Sequence, residues 1–132
     1  DFWWDRALNF DGETGPYVQY TYARCMSVLK KGEHIDAQPD YEALNNEEAR
    51  QLLLLLSRFP ESVQEAMERN EPYVVTRAAT DIAKAYNKFY YEHRILEDKD
   101  TAAKARLMLT DATRQVIHAG LALIGVETPE KM

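Results

Sequence analysis

The side chains best equipped for chemistry sit in two short stretches. Tyr17, Tyr20 and Arg24 lie in "GPYVQYTYAR" (residues 15–24), and Tyr90 and Tyr91 lie in "AYNKFYYEHR" (residues 85–94). Aromatic rings beside cations can stack unpaired bases and hold phosphates. Reactive chemistry finds no such support. The three histidines, His34, His93 and His118, lie far apart, and no Glu-x-x-His pair occurs, so the carboxylate-bridged di-metal bundle lacks its signature. A lone cysteine, Cys25, cannot build a Cys-rich zinc site. No G-x-G-x-x-G, P-loop or G-x-S-x-G motif is present. The acid pairs Glu47-Glu48 and Glu97-Asp98 are adjacent in sequence and read as helix N-terminal charge and solvated turn. No catalytic residue, metal ligand or cofactor site is therefore assigned.

The chain's charge argues against a nucleic-acid partner until its distribution is considered. Over 132 residues the net charge is −6, and phosphates favour basic surfaces. Residues 33–71, however, hold ten acids against three bases, which leaves the remainder at +1. The molecule is expected to be two-sided, with its bases gathered on particular helices. The length fits one domain. No apolar run approaches the roughly 20 residues of a membrane span, and "DFWWDR" lacks the features of a signal peptide. The single Cys25 fits a reducing compartment. The expectation is a cytoplasmic protein with no membrane or DNA partner.

The elements that position these residues read as helical throughout. A short helix is predicted over residues 3–9. A second starts at Thr14-Gly15-Pro16, where proline's missing N–H costs nothing, and runs to Lys31, with Gly32 as its C-terminal cap. Residues 33–45 form a loop or a short helical turn. Asn46 caps a helix from Glu47 that ends before Pro60, and residues 61–70 form another. Glu71-Pro72 opens a long helix to about Arg94, and Asp100 caps a last one from Thr101 to Ile124, closed by Gly125 and Pro129. The expected fold is an all-α bundle of about five to six helices.

Helical spacing then sorts the faces. Val18, Tyr22, Cys25 and Leu29 fall on one buried stripe, whereas Tyr17, Tyr20 and Arg24 share a separate arc that Lys31 continues. On the long helix, Val75, Ala79, Ile82, Tyr86, Phe89 and His93 form the core stripe. Arg77, Lys84, Lys88 and Tyr91 lie opposite, with Tyr73 in line and Tyr90 at the border. A covering neighbour helix or a solvated charged face would account for either face alone. Two helices that each set tyrosines beside bases favour an RNA-binding surface, with Lys31, Arg77, Lys84 and Lys88 as possible phosphate contacts.

Three segments carry a resemblance. "FDGETGPYVQYTYARCMSVL" resembles the opening of the C-terminal helical domain of arginyl-tRNA synthetases, through Phe10, Gly12, Thr14, Gly15, Pro16, Tyr17, Gln19, Tyr20, Ala23 and Arg24. "EPYVVTRAATDIAKAYNKFYYEHRIL" and the terminal "RLMLTDATRQVIHAGLALIGVETPEKM" look like later parts of the same domain. The likeness is weakest over residues 33–60.

The resemblance implies a DALR-type anticodon-binding domain of the class I synthetase kind at residues 13–132, preceded by a junction helix and linker at 1–12. The catalytic H-I-G-H-like and K-M-S-K-like motifs of that family are missing. ATP and magnesium would thus belong to a parent catalytic domain of the same chain, and this portion would be inactive alone. It further implies that the C-terminus at Met132 is the natural one, that Trp3 and Trp4 are partly orphaned, and that the partner is the anticodon loop of arginine tRNA, bound by a monomer. Tyr17, Tyr20, Arg24, one tyrosine of the 89–91 run and Met132 would bind it. The family pattern favours Tyr90, while periodicity favours Tyr91. Alternatives are the related domains of cysteinyl-tRNA synthetase and the glycyl β subunit, or a free-standing protein-interaction module.

Overall fold

A computed structural model describes residues 14–125 and Thr128. The predicted helix at 3–9, Trp3 and Trp4, and the segment from Pro129 to Met132 lie outside the described residues. Among those described, the chain forms four α-helices: α1 (Thr14–Lys31), α2 (Glu47–Arg69), α3 (Tyr73–Glu92) and α4 (Asp100–Leu123). A 3-10 turn, Tyr41–Leu44, interrupts the link between α1 and α2. The all-α bundle is as expected, with the helices expected on either side of Pro60 joined into α2.

Both core stripes read from periodicity are buried except at Leu29 and His93, which are only partly so. Val18, Tyr22 and Cys25 line α1, and Val75, Ala79, Ile82, Tyr86 and Phe89 line α3. Leu29 is partly buried against the same core. Burial pushes the Cys25 thiol pKa up to about 12, so this cysteine is an inert core residue. Leu52, Phe59 and Ala66, spaced by seven, turn one side of α2 inward. The Phe59 ring lies against Gly120 on α4, where an added Cβ would meet its Cζ at 3.3 Å. The most extensive packing joins α2 to α3, and α4 packs on α1 and α3.

Three expected boundaries need correction. The helix from Glu47 does not end before Pro60; it runs unbroken to Arg69 with Pro60 inside it. A proline removes one backbone hydrogen bond and crowds the preceding turn. Pro60 is exposed, while Phe59 and Ala66 on either side of it are buried in the same core, so tertiary packing holds the helix continuous through the break. Gly32 does follow α1, but Gly125 is the glycine with positive φ (78°) among the described residues. Glycine at 32 answers a steric demand instead: a Cβ there would lie 2.7 Å from both Leu107 methyls and 2.9 Å from Leu96. Finally, Asp100 is the first residue of α4 and not its cap. Lys99 takes the cap position without a side-chain hydrogen bond, and Asp100 supplies acidic charge to the first turn.

Other boundaries follow the sequence closely. The Asn46 side chain accepts a hydrogen bond from the Ala49 N–H at 2.8 Å. Asn70, left-handed at φ 54°, closes α2. The segment after α3 is fastened by the largely buried Arg106 of α4, whose Nη1 donates to the carbonyls of Arg94 (3.2 Å) and Glu97 (3.0 Å). That tie fixes the end of α3 bearing Tyr90 and Tyr91. The acidic stretch is tied to α4 by the Asp40 N–H, which donates to the Thr101 carbonyl at 2.9 Å.

Candidate nucleic-acid interface

Where α1 meets the last turns of α3, one guanidinium gathers the candidate residues. Arg24 lies 4.4 Å from the Tyr90 ring centre, 5.0 Å from Tyr91 and 5.5 Å from Tyr20, within cation–π range of all three. Its Nη2 donates to the Tyr91 hydroxyl at 3.0 Å, and its Nη1 donates to Asn87 Oδ1 at 2.6 Å. Partial burial opposes the charge, yet the hydrogen bond to Tyr91 and the neighbouring tyrosines hold the Arg24 pKa above the ordinary arginine value. The cation is permanent.

Asn87 extends the cluster to Tyr17. Its Nδ2 donates to the Tyr17 hydroxyl and to Thr21 Oγ1, both at 2.9 Å. Tyr20 (52% exposed) and Tyr91 (70%) present their rings to solvent, while Tyr17 is at the margin and Tyr90 is half-buried beneath the guanidinium. Tyr90 and Tyr91 meet edge to face at 5.3 Å. The arrangement offers exposed aromatic faces around a fixed positive charge.

Tyr17, Tyr20, Arg24, Tyr90 and Tyr91 are thus brought together from two helices. Lys31, Arg77, Lys84 and Lys88 are all exposed and lie outside this cluster. Arg77 sits 5.6 Å from the Tyr73 ring, and fourteen residues separate it from Tyr91, which is roughly 21 Å along a helix. It can reach a different nucleotide only. The Glu47 carboxyl is held below its usual pKa chiefly by hydrogen bonds from Gln51 and Arg50, and that of Glu48 chiefly by His93; Lys88 adds to both. His93 shows the packed role expected of it, with its ring 5.4 Å from Phe89 and its Nε2 2.8 Å from Glu48. Met132 lies outside the described residues. Thr128, four residues earlier in the chain, is held by a 2.8 Å hydrogen bond to His118, whose ring lies 6.1 Å from Tyr22 of α1.

Sequence reasoning missed Asn87 and Thr21 as members of the site. A signal existed for Asn87, a polar residue set between the core residues Tyr86 and Phe89. Among the described residues, no group of three or more His, Cys, Asp or Glu side chains is placed to hold a metal ion. Nor is any described helix long and apolar enough to cross a membrane.

The DALR anticodon binding domain profile matches residues 18–132. The chain belongs to the DALR anticodon-binding domain family. The chain is 48% identical over 132 residues to the arginine–tRNA ligase of Halothermothrix orenii, and 41% identical over 139 residues to that of Pyrococcus furiosus. Each match covers 99% of this chain, but 23% of the first relative and 22% of the second. The solved structure of Thermus thermophilus arginyl-tRNA synthetase superposes over 100% of the DALR chain and 23% of its own, with a TM-score of 0.79 and 34% identity. The DALR chain therefore spans about a quarter of the length of the proteins it resembles.

Proposed function

We propose that this DALR domain grips the anticodon loop of arginine tRNA as the C-terminal part of an arginine–tRNA ligase. The observation that carries the reading is the Arg24 cluster, in which one half-buried cation is ringed by Tyr20, Tyr90 and Tyr91. Exposed rings beside a fixed charge suit splayed-out loop bases better than a paired helix. The similarity to arginine–tRNA ligases over nearly the whole chain supports arginine tRNA as the partner.

In this reading Tyr20 and Tyr91 stack on bases, with Tyr90 supporting Arg24 from below. Tyr17 offers its hydroxyl, and Lys31, Arg77, Lys84 and Lys88 reach phosphates along the strand. Met132 closes the site from the terminal segment. Attachment of arginine, with its use of ATP and magnesium, falls to a catalytic domain of the same chain to which residues 1–12 connect. The protein works as a cytoplasmic monomer.

The test is a titration with an arginine tRNA transcript and the same transcript with its anticodon replaced. Tighter binding of the first, falling steeply with added salt, is the expected result. Equal affinity for both transcripts would remove anticodon recognition, and affinity indifferent to salt would point to a protein-docking surface instead.

A further inference from the structure

We propose that Asn87 is a positioning residue that sets the direction of the hydroxyl protons in the site, so that the surface presents donors to acceptor groups of the RNA. The proposal rests on the anticodon-loop reading and deepens it. Arginine has donors only, so the Asn87 atom 2.6 Å from Arg24 Nη1 is necessarily the carbonyl oxygen. The amide nitrogen then faces Tyr17 and Thr21, and both hydroxyls accept from it at 2.9 Å. Thr21 sends its own proton to the Tyr17 main-chain carbonyl at 3.0 Å. The Tyr17 proton has no acceptor among the described residues and is free to point outward.

Tyr91 is oriented in the same way by a different donor. Its hydroxyl accepts from Arg24 Nη2 at 3.0 Å, which leaves its own proton for a ligand. The two hydroxyls and the remaining guanidinium N–H groups form a donor-rich rim around stacking rings. The groups it fits are acceptors: a base carbonyl, an unprotonated ring nitrogen or a phosphate oxygen. Asn87 is itself nearly buried, so it acts through Tyr17 and Arg24.

Asn87→Asp tests the proposal, because a carboxylate keeps Arg24 but accepts from both hydroxyls and turns the Tyr17 proton inward. Using the 132-residue chain and the anticodon stem-loop of arginine tRNA, Tyr17→Phe is expected to weaken binding about tenfold, the range of one hydrogen bond. Asn87→Asp should weaken it by at least as much. Tyr17→Phe should then add nothing in the Asn87→Asp background. Multiplying effects, or a silent Tyr17→Phe, would overturn the proposal. Stem-loops lacking one loop base at a time identify the acceptor: the Tyr17→Phe loss vanishes for one of them if it is a base, and persists in all if it is a phosphate.

A second measurement covers a variant that fails to fold or an RNA that fails to bind. In the free wild-type chain, NMR should find both side-chain amide protons of Asn87 protected from exchange. Fast exchange would overturn the orientation. Absence of stem-loop binding by a wild-type chain with protected protons would overturn the anticodon reading alone.

Discussion

Tyr20 and Arg24 share a helical face, yet their surroundings separate what each substitution should do. Tyr20 is exposed and meets Arg24 through its ring. Tyr20→Ala should weaken anticodon-loop binding by roughly 1–3 kcal/mol, the worth of one stacked base, while stability stays within about 0.5 kcal/mol of wild type. Arg24→Ala should lose binding too, but it also strands the Asn87 carbonyl. An unsatisfied buried acceptor costs about 1–3 kcal/mol, so this variant should also melt earlier. Binding isotherms set beside thermal melts check both, and a strongly destabilised Tyr20→Ala would return that ring to the core. Periodicity could find the Tyr17, Tyr20 and Arg24 arc because those residues lie on one helix. It could not find that Asn87 joins them, since that contact bridges 70 residues of sequence between Tyr17 and its partner. Which face of α1 meets which turn of α3 is decided by packing of the whole bundle.

Helix ends with a strong local cause were legible, and those overruled from outside were not. Asn46 caps α2 because its own side chain does the capping. Pro60 was read as a break, since the signal of a proline is local, whereas the burial of Phe59 and Ala66 that outweighs it is not. The strain should still be measurable. Pro60→Ala restores a backbone donor at an exposed position and should stabilise the chain by about 1–3 kcal/mol. The urea midpoint should rise with the slope unchanged, and a lowered midpoint would mean that α2 is shaped around the proline. A second element-scale device is the 2.8 Å contact of His93, at the end of α3, with Glu48 at the start of α2. The hydrogen bond from His93 holds the Glu48 pKa below its usual 4.5. A depressed carboxylate stabilises the fold above its unfolded value, and that stabilisation is lost as pH falls through the folded value. Wild type should therefore exceed Glu48→Gln in stability at pH 6, and the difference should shrink steadily below about pH 4.5. A gap that stayed constant to pH 3 would show that the carboxylate charge contributes nothing.

At the scale of the molecule, a chain of net charge −6 is asked to hold a polyanion. Its acids are concentrated in residues 33–71, that is, in the link between α1 and α2, in α2 and at Glu71 just before α3, whereas the candidate surface is built from α1 and α3. Net charge then affects the long-range approach, which salt screens within about 8–10 Å, while the local bases decide the bound state. Those bases are not equivalent. Lys88 adds a weak Coulombic attraction, the least of the causes that lower their pKa, to Glu47 and Glu48 at the head of α2, so a part of its charge is answered within the fold. Lys84 is exposed one turn before Asn87 and Lys88, toward the same end of α3 as Tyr91. For single-stranded RNA, each neutralised phosphate contributes about −0.7 to the slope of log affinity against log salt. Contacts from Arg24, Lys84 and one or two of the outlying bases would give a slope of about −2 to −3. Lys84→Ala should reduce it by about 0.7, and Lys88→Ala by distinctly less. Fluorescence anisotropy with a labelled anticodon stem-loop between 50 and about 300 mM salt would measure all three slopes. Equal reductions for the two lysines would mean that the acidic head of α2 does not compete with RNA for Lys88, and the two-sided division of charge would lose its functional meaning.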